Sequence, residues 1–506
     1  MPRNVILLHT DQQRYDSLGC TGNPLVRTPH LDALAADGTV FTRHFTANPI
    51  CSPSRASLLT GLYPPGHNVW NNGVALSRRE YAIFDTRSED QRCDARGGFI
   101  PQPPTMADMF AGAGYDTASF GKLHLTPYLS PTAWRFPETT TNWQQGLFDD
   151  WSGPYYGFQH CELTLGHGEG ACHAGHYGHW LQREHPEAVA RLREHQPRPF
   201  PEIGDLYAST LPFALHHSHW LAERLAAYLR RRGPGDAPFF AFVGFPDPHH
   251  PFVPCADIAP DFESCAVQEF VDPEGAGMAG SPVLPLNQQS LAEMGISAEA
   301  VRQAIRYTYA LVYQIDLAVG MITAALQEAG LADDTIVAFT SDHGDYLGDH
   351  GHLRKGFGAS GSLLHVPLLI RAPGSDLPSR VDLPVSNADV MPTLAALAGV
   401  TPPPVQHGAD VSALVRDGRT HQAFAFSTNG DVTSLNHTIC DERYRLTWYP
   451  GVEDFVELFD HANDPGECRN VAGEAQHREA QERLLALLKE RLAGWYSPIL
   501  ARTAAW

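Results

Sequence analysis

The sequence predicts an α/β fold in which helices flank a central, mostly parallel sheet, with a smaller α+β domain at the C-terminal end. Two observations lead to this prediction. Short apolar runs alternate with stretches of helical period, and several of these runs lead directly into a cluster of polar residues. Because the chain has 506 residues, 43% of them hydrophobic, it can bury a large core and form more than one domain.

Three apolar runs have the continuous hydrophobic character of strands that are buried on both faces: residues 4–10, 239–245 and 335–341. A fourth, shorter run lies near residues 116–120. The polar residues that follow these runs are Asp11-Gln12, Lys122 to His124, Asp247 to His250 and Asp342-His343. Ligands of open α/β sheets bind beyond the carboxyl ends of the strands. The sequence therefore predicts that these strand ends assemble an active site.

Helical patterns lie between the strands. The longest covers residues 298–329, with Ser297 as its N-cap and Gly330 directly after its end. Residues 213–231 and 388–398 follow the same period. These helices are expected to cover the faces of the sheet.

The predicted domain organisation has two parts. Residues 1–415 form the catalytic α/β domain, which contains a loop-rich insertion near the substrate at residues 126–210. Residues 416–506 form the C-terminal domain, and its small antiparallel sheet and helix are predicted from residues 438–449, 455–459 and 474–495.

Composition narrows the class of protein. A net charge of −21 argues against nucleic acid or an anionic membrane surface as a partner. No segment resembles a signal peptide or a membrane span. The nine cysteines are scattered without a C-x-x-C pair, which indicates reduced thiols. We expect a cytoplasmic homo-oligomer that binds neither nucleic acid nor membrane.

The most specific motif runs from Cys51 to Arg55, with the sequence Cys-Ser-Pro-Ser-Arg, and continues to Gly61. Ser52 is predicted to be the N-cap of a short helix, with Pro53 at its first position. Cys51 would then lie at the helix N-terminus, where free N–H groups favour an anion. Arg55, one turn further on, is expected to reach back to the side chain of residue 51.

This motif resembles the C-x-P-x-R signature of the sulfatase family, in which an activating enzyme oxidises the cysteine to formylglycine. Segments along nearly the whole chain are similar to the family as well, up to Asp464-Pro465-Gly466-Glu467 near the C-terminal end. The resemblance implies an alkaline-phosphatase-like fold and the hydrolysis of sulfate monoesters. It also implies a formylglycine-generating maturase as a partner and a small-molecule sulfate ester as substrate.

The resemblance implies a role for each candidate residue. One divalent metal, Mn²⁺ or Ca²⁺, would be bound by Asp11, Gln12, Asp342 and His343. The catalytic residues would be Cys51, Arg55, Lys122, His124, His249 and Lys355, with Asn72 and His250 near the substrate. Lys122 would bind a sulfate oxygen, His124 would serve the formylglycine, and His249 would protonate the departing alcohol. If the chain is extended there, Lys122 and His124 point to the same side.

Two other functions stay open. The Asp-Gln and Asp-His pairs resemble the branch of the family that contains phosphonate monoester hydrolases and choline sulfatases, so the same site could hydrolyse phosphonate monoesters or phosphodiesters. A protein whose Cys51 is never modified would bind anions without catalysis.

Within the insertion, the histidines between His167 and His179 allow a zinc site, although their spacing fits no standard ligand set. The aromatic residues of the insertion, such as Trp143 and Tyr155, fit a pocket for an aromatic leaving group. We expect the insertion to shape substrate access.

Overall fold

The computed structural model describes residues 3–78, 102–193, 197–233, 235–278, 280–282, 289–418, 423–430, 434–452 and 455–495. The strands in these residues are β1 (Asn4–Thr10), β2 (Thr39–Phe45), β3 (Asp116–Gly121), β4 (His160–Glu162), β5 (Phe239–Gly244), β6 (Thr335–Ser341), β7 (Leu368–Arg371), β8 (Arg380–Ser386), β9 (Ala425–Asn429), β10 (Asn436–Cys440), β11 (Tyr444–Tyr449) and β12 (Phe455–Asp460).

The α-helices of the same residues are α1 (Pro29–Ala36), α2 (Cys51–Thr60), α3 (Pro64–His67), α4 (Met106–Gly112), α5 (Thr140–Gln144), α6 (Gly175–Glu184), α7 (Pro186–Leu192), α8 (His217–Arg230), α9 (Leu291–Met294), α10 (Ala298–Glu328), α11 (Gly361–Leu364), α12 (Val390–Ala398), α13 (Val411–Arg416) and α14 (Arg478–Trp495).

The central sheet confirms the predicted α/β fold. Its eight described strands follow the order β4-β3-β5-β1-β6-β7-β2-β8. All neighbouring pairs are parallel except the two that involve β7. Along β1, Val5 and Leu7 belong to one hydrophobic core and Ile6 and Leu8 to another, because successive side chains of a strand point to opposite faces. Burial on both faces explains why β1 is apolar throughout.

Helix α10 is the longest helix of the described residues, and its predicted ends are confirmed. The Ser297 side chain accepts a hydrogen bond from the backbone N–H of Ala300, and Gly330 has φ = +68°. By length and composition alone this helix could cross a membrane, contrary to the prediction that no segment resembles a membrane span. However, 67% of its most apolar stretch is buried within the protein, and it packs against α1 and α8.

Two segments differ from their predicted structure. The insertion at residues 126–210 is not only loops, because β4 pairs in parallel with β3 and extends the edge of the sheet. The segment 438–449 is a hairpin rather than one strand, because the chain reverses between β10 and β11.

A second, antiparallel sheet has the order β12-β11-β10-β9, and α14 packs against it through Leu484 and Leu488. This sheet lies beside the first, since the backbone N–H of Thr428 donates to the carbonyl of Ala47 at 2.8 Å. The domain boundary near residue 415 stays a prediction.

A buried ion pair joins this second sheet to the catalytic region. Arg445 binds both carboxylate oxygens of Glu467, at 2.5 and 2.8 Å, and Glu467 also accepts the backbone N–H of Gly361 at 2.8 Å. Burial acts to raise the pKa of Glu467, but Arg445 and His461 outweigh it and lower that pKa. Because the pKa is lowered in the folded state, the pair stabilises the protein above about pH 4.3, the ordinary value for Glu, and this contribution is lost as the pH falls further.

We expect Arg445→Ala to lower the free energy of unfolding by about 3–5 kcal/mol, because it leaves the Glu467 charge buried without its cation. The control is Arg443→Ala, because Arg443 is paired with Asp460 but its side chain is 48% exposed, and an exposed pair contributes about 0–1 kcal/mol. Urea unfolding at pH 7 measures both losses. Equal losses for the two variants would contradict this account of the buried pair.

Candidate active site

The carboxyl ends of four neighbouring parallel strands, β3, β5, β1 and β6, meet at one edge of the sheet. The backbone N–H of Asp11 donates to the carbonyl of Asp247 at 3.0 Å, and the N–H of Lys122 donates to the carbonyl of Gly244 at 2.8 Å. Parallel pairing thus brings together the polar clusters that are far apart in the sequence.

Cys51 is the first residue of α2 and is 1% exposed. Its Sγ lies 2.8 Å from Lys355 Nζ, 3.3 Å from His343 Nε2 and 3.7 Å from Asp11 Oδ1. Burial and Asp11 act to raise the pKa of the thiol, but the charges of Lys355, Lys122 and His343 outweigh them and lower it. The surroundings of residue 51 therefore favour an anionic group.

The predicted N-cap of α2 was wrong. Ile50 holds that position with extended backbone angles, and the hydroxyl of Ser52 is buried without a hydrogen-bond partner. Instead, Asn72 Oδ1 accepts the backbone N–H of Ser52 at 3.0 Å. Asn72, predicted near the substrate, thus lies at the N-terminus of α2 and satisfies one of its free N–H groups.

Arg55 does not reach back to the side chain of residue 51, contrary to the prediction. Its guanidinium is fully buried and donates to Asp342 Oδ2 at 2.8 Å and to Asp11 Oδ2 at 3.1 Å. A third bond, of 2.8 Å, goes to the carbonyl of Lys122. Arg55 therefore holds the two carboxylates and the Lys122 backbone.

The ligand atoms of Asp11, Asp342 and His343, with the sulfur of Cys51, all lie within 4.8 Å of one another. The tautomer of His343 suits metal binding, because its Nδ1 donates to the carbonyl of Gly344 at 2.8 Å and leaves the lone pair of Nε2 facing the cluster. The donors are thus a mixed set of carboxylate oxygens and one imidazole nitrogen.

Gln12 is the fourth predicted metal ligand. Its backbone has φ = +63°, a conformation that is uncommon for a residue with a Cβ atom. Its Nε2 donates to Asp345 Oδ2, whereas Oε1 is buried and has no hydrogen-bond partner. An unsatisfied buried acceptor costs about 1–3 kcal/mol, and a divalent cation would remove that cost. The residues present therefore fit a metal ion.

Lys122 and His124 lie on a loop that follows β3. The ammonium group of Lys122 contacts Asp11 Oδ2 and His167 Nε2. The ring of His124 stacks on Tyr128 with centroids 4.0 Å apart. His124 has φ = +57°, so the chain is not extended there, and a common side for Lys122 and His124 does not follow from an extended backbone.

Lys355 lies between the nucleophile and two histidines. Its Nζ is 2.9 Å from both His343 Nε2 and His249 Nε2, in addition to its contact with Cys51. His249 Nδ1 donates to the carbonyl of His250, so Nε2 accepts from Lys355. Burial, together with the neighbouring cations, lowers the pKa of His249. In this arrangement His249 is neutral and the proton between the two groups belongs to Lys355.

His167 joins the site although it was not among its predicted residues. Its ring stacks on His249 at a centroid distance of 3.8 Å, and its Nε2 contacts the Lys122 ammonium. Among the described residues of the insertion, no other histidine belongs to a possible metal-binding cluster with it. His176, for example, accepts the N–H of Leu163 and donates to the carbonyl of Trp151, both at 2.8 Å. Sequence spacing held no signal that separated His167 from its neighbours.

Three aromatic residues of the insertion have a different role from the predicted one. Trp143, Tyr155 and Tyr156 are each 1% exposed and belong to a hydrophobic core of the catalytic region. They therefore do not line an open pocket for a leaving group.

A second buried cluster lies beyond β5, where Asp247 faces His217 Nε2 at 3.5 Å and His216 Nε2 at 3.6 Å. Because His216 Nδ1 accepts the backbone N–H of Ser218 at 3.2 Å, the proton of the neutral His216 ring lies on Nε2. Burial raises the pKa of Asp247 to about 8. The protonated His216 nitrogen fits a contact between imidazole and carboxyl groups rather than a metal site.

Comparisons with known proteins agree with this geometry. A family model described as sulfatase matches residues 3–400, and the model for the C-terminal part of N-sulphoglucosamine sulphohydrolase matches residues 348–493. An arylsulfatase of Clostridium perfringens (strain 13 / Type A) is 26% identical, over 98% of this chain and 95% of its own length. The steryl-sulfatase of Mus musculus is 29% identical, over 97% of this chain and 82% of its own length. The crystal structure of the phosphonate monoester hydrolase of Agrobacterium radiobacter superposes with a TM-score of 0.75 and 27% identity. The match covers 97% of this chain and 96% of the hydrolase chain.

Proposed function

Since this chain belongs to the sulfatase family of the alkaline phosphatase superfamily and is a sulfuric ester hydrolase, we propose that it cleaves aryl sulfate monoesters through a formylglycine made from Cys51 and with one divalent metal ion. The observation that carries this proposal is the position of Cys51. It lies buried at the first residue of α2, within the C-x-P-x-R motif, and next to Lys355, His343 and Asp11.

A maturase that reads the Cys51–Arg55 motif would oxidise Cβ of Cys51 to an aldehyde with an oxidant of its own, and the sulfur would leave as sulfide. Hydrated formylglycine supplies one hydroxyl that attacks sulfur and a second that later expels sulfate, a route that serine and cysteine lack. The N-terminus of α2 and the ammonium of Lys355 both favour negative charge at position 51. The chain's own groups thus support a nucleophile in its deprotonated form.

Asp11, Gln12, Asp342 and His343 would hold the metal ion, which supplies positive charge beside the sulfuryl oxygens. The three oxygen donors suit Mn²⁺ and Ca²⁺, and the nitrogen of His343 favours Mn²⁺. Lys355 would leave His343 Nε2 when the metal binds and turn toward the substrate. Arg55 keeps both carboxylates in place through its two hydrogen bonds to them.

The anion site needs positive charge, and the residues around Cys51 provide it. Arg55, Lys122 and Lys355 outnumber the carboxylates Asp11 and Asp342 there. Charge that develops on the sulfuryl oxygens would be stabilised by Lys122, whose ammonium group is already held by a buried contact with Asp11, and by Lys355 once it turns toward the substrate. His124 would act on the formylglycine hydrate from the same loop as Lys122.

His249 would protonate the departing alcohol. Its Nε2 lies 2.9 Å from Lys355 Nζ and accepts a hydrogen bond from it. When Lys355 turns toward the sulfuryl group and keeps its charge, His249 Nε2 would take up a proton from solvent and pass it to the leaving oxygen. His250, which contacts Gln12 Nε2 through its Nδ1 at 3.1 Å, would stay beside the leaving group.

Hydrolysis of phosphonate monoesters or phosphodiesters is a second candidate function. The likeness to the Agrobacterium radiobacter phosphonate monoester hydrolase favours it, and these esters carry the same single negative charge as a sulfate monoester. Lys122 and His124 favour sulfate, because the phosphonate monoester hydrolases that the chain resembles usually carry uncharged hydroxyl residues at these two positions. Comparing kcat/KM for one aryl alcohol esterified to sulfate and to a phosphonate decides between them, and we expect the sulfate ester to be preferred.

His249→Ala is expected to slow poor leaving groups far more than good ones. Acidic phenols depart with little protonation, whereas alcohols of high pKa need it, and general acid catalysis contributes about 10²–10⁴-fold. Rates across a series of aryl sulfates of increasing phenol pKa measure this contrast.

The control for this series is Lys122→Ala, which removes an anion contact common to all substrates and should slow them by similar factors. If the loss for His249→Ala is equal across the series, His249 only positions the substrate and Lys355 would be the acid.

A further inference from the structure

A buried carboxylate holds the loop that carries Lys122 and His124. Glu138 is 0% exposed and lies in the insertion, away from the predicted site residues in sequence. Its Oε1 accepts the backbone N–H of His124, and its Oε2 accepts those of Leu125 and Thr126 at 2.8 and 2.9 Å. Three consecutive N–H groups that converge on one anion fix the direction of each peptide plane.

Two hydroxyl groups complete the shell of Glu138. Thr126 Oγ1 donates to Oε2 at 3.2 Å and Tyr155 donates to the same atom at 3.1 Å. Among the described residues no arginine or lysine forms an ion pair with Glu138. The loop's own N–H groups and the two hydroxyls therefore stabilise this buried carboxylate, so the carboxylate and the loop depend on each other.

The loop is anchored at its other end by the active site itself. The carbonyl of Lys122 accepts from Arg55, and its N–H donates to Gly244. His124 lies between the two anchors with φ = +57°, a backbone conformation that must be held by its surroundings. Release of the Glu138 end would let His124 relax and would shift Lys122, whose ammonium contacts Asp11.

We propose that Glu138 is a positioning residue of the reaction, which holds the backbone of residues 124–126 so that Lys122 and His124 face the sulfuryl group. This inference rests on the proposed function for the roles of those two side chains. Glu138 itself touches neither the nucleophile nor the metal ligands by any described hydrogen bond.

The test compares Glu138→Gln with Glu162→Gln in the metal-loaded, modified enzyme. A glutamine at 138 must turn an NH₂ group toward at least one N–H donor, because both carboxylate oxygens are used. Glu162 is a matched control, since it is a buried carboxylate of the same insertion that binds Arg224 instead of the loop. Thermal unfolding shows whether each variant is folded. If Glu138→Gln does not fold, Glu138→Asp replaces it, because the aspartate side chain is too short to reach all three N–H groups.

Amide hydrogen exchange of residues 122–128 is the first readout, and we expect it to be faster in Glu138→Gln and unchanged in Glu162→Gln. The second is kcat for an aryl sulfate, expected to fall roughly 10²-fold in Glu138→Gln alone, because small displacements of catalytic groups have effects of that size. In the double variant with Lys122→Ala, the total loss of kcat should be smaller than the product of the two single-variant losses, because both changes act through Lys122.

The proposal would be overturned by any of three results. These are unchanged amide exchange in Glu138→Gln, a kcat of Glu138→Gln equal to that of Glu162→Gln, and a loss of kcat in the double variant equal to the product of the two single-variant losses. If the wild-type enzyme hydrolyses no sulfate ester, the proposed function fails instead, and the exchange result still decides whether Glu138 holds the loop.

Discussion

Cys51→Ala is expected to abolish the hydrolysis of aryl sulfates, with a loss on the order of 10⁶-fold, as when a covalent nucleophile is removed from other hydrolases. Alanine offers no atom to attack sulfur. The fold should persist, because Cys51 is a small residue whose helix is capped from outside by Asn72. The measurement is kcat on an aryl sulfate, together with the thermal unfolding midpoint.

Two further variants sharpen this test. Cys51→Ser keeps a hydroxyl but lacks the second hydroxyl that expels sulfate, so it should release at most one equivalent of alcohol and then stop. Cys161→Ala removes a buried free cysteine outside the site and should retain turnover. Full multiple-turnover activity in Cys51→Ala would contradict a covalent mechanism at this residue.

Asp342→Asn is expected to lose the metal ion and activity together. Asparagine keeps the size of the side chain but removes the charge that binds both the metal and Arg55. Even residues that only orient metal ligands change affinity by about 10–100-fold, so loss of a ligand charge should weaken Mn²⁺ binding by more than about 100-fold. Equilibrium dialysis with Mn²⁺, followed by elemental analysis of the protein, measures this effect.

The matched control is Asp316→Asn, because Asp316 is a buried carboxylate on α10 that accepts the N–H groups of His30 and Leu31 far from the site. It should retain one equivalent of metal. Metal bound with unchanged affinity in Asp342→Asn would refute the assigned ligands, and so would stoichiometric zinc at residues 167–179 of the wild-type protein with no metal at the four assigned residues.

The strand ends of the site could be predicted because buried parallel strands have a simple sequence pattern. Continuous apolar runs such as residues 4–10 and 335–341 leave little doubt about where each strand stops, and the polar pair after each one must then lie at the same edge of the sheet. Asp11, Gln12, Asp342 and His343 are brought together for this reason.

Contacts made across long sequence distances could not be predicted from local patterns. Ser52 has the chemistry of an N-cap, yet Asn72 satisfies the helix from another loop. Arg55 was expected to bind the nearest residue on its helix face, but two buried carboxylates from different strands attract it more strongly. Glu138 and His167 act through pairings set by tertiary packing, for which no spacing rule exists.

The mass of the tryptic peptide from His44 to Arg55, taken from a preparation that hydrolyses an aryl sulfate, tests the central claim most directly. We predict that this peptide carries the formylglycine aldehyde in place of the Cys51 thiol, and that the modified fraction rises in proportion to kcat among preparations. A fully active preparation in which residue 51 carries only the thiol would contradict the account.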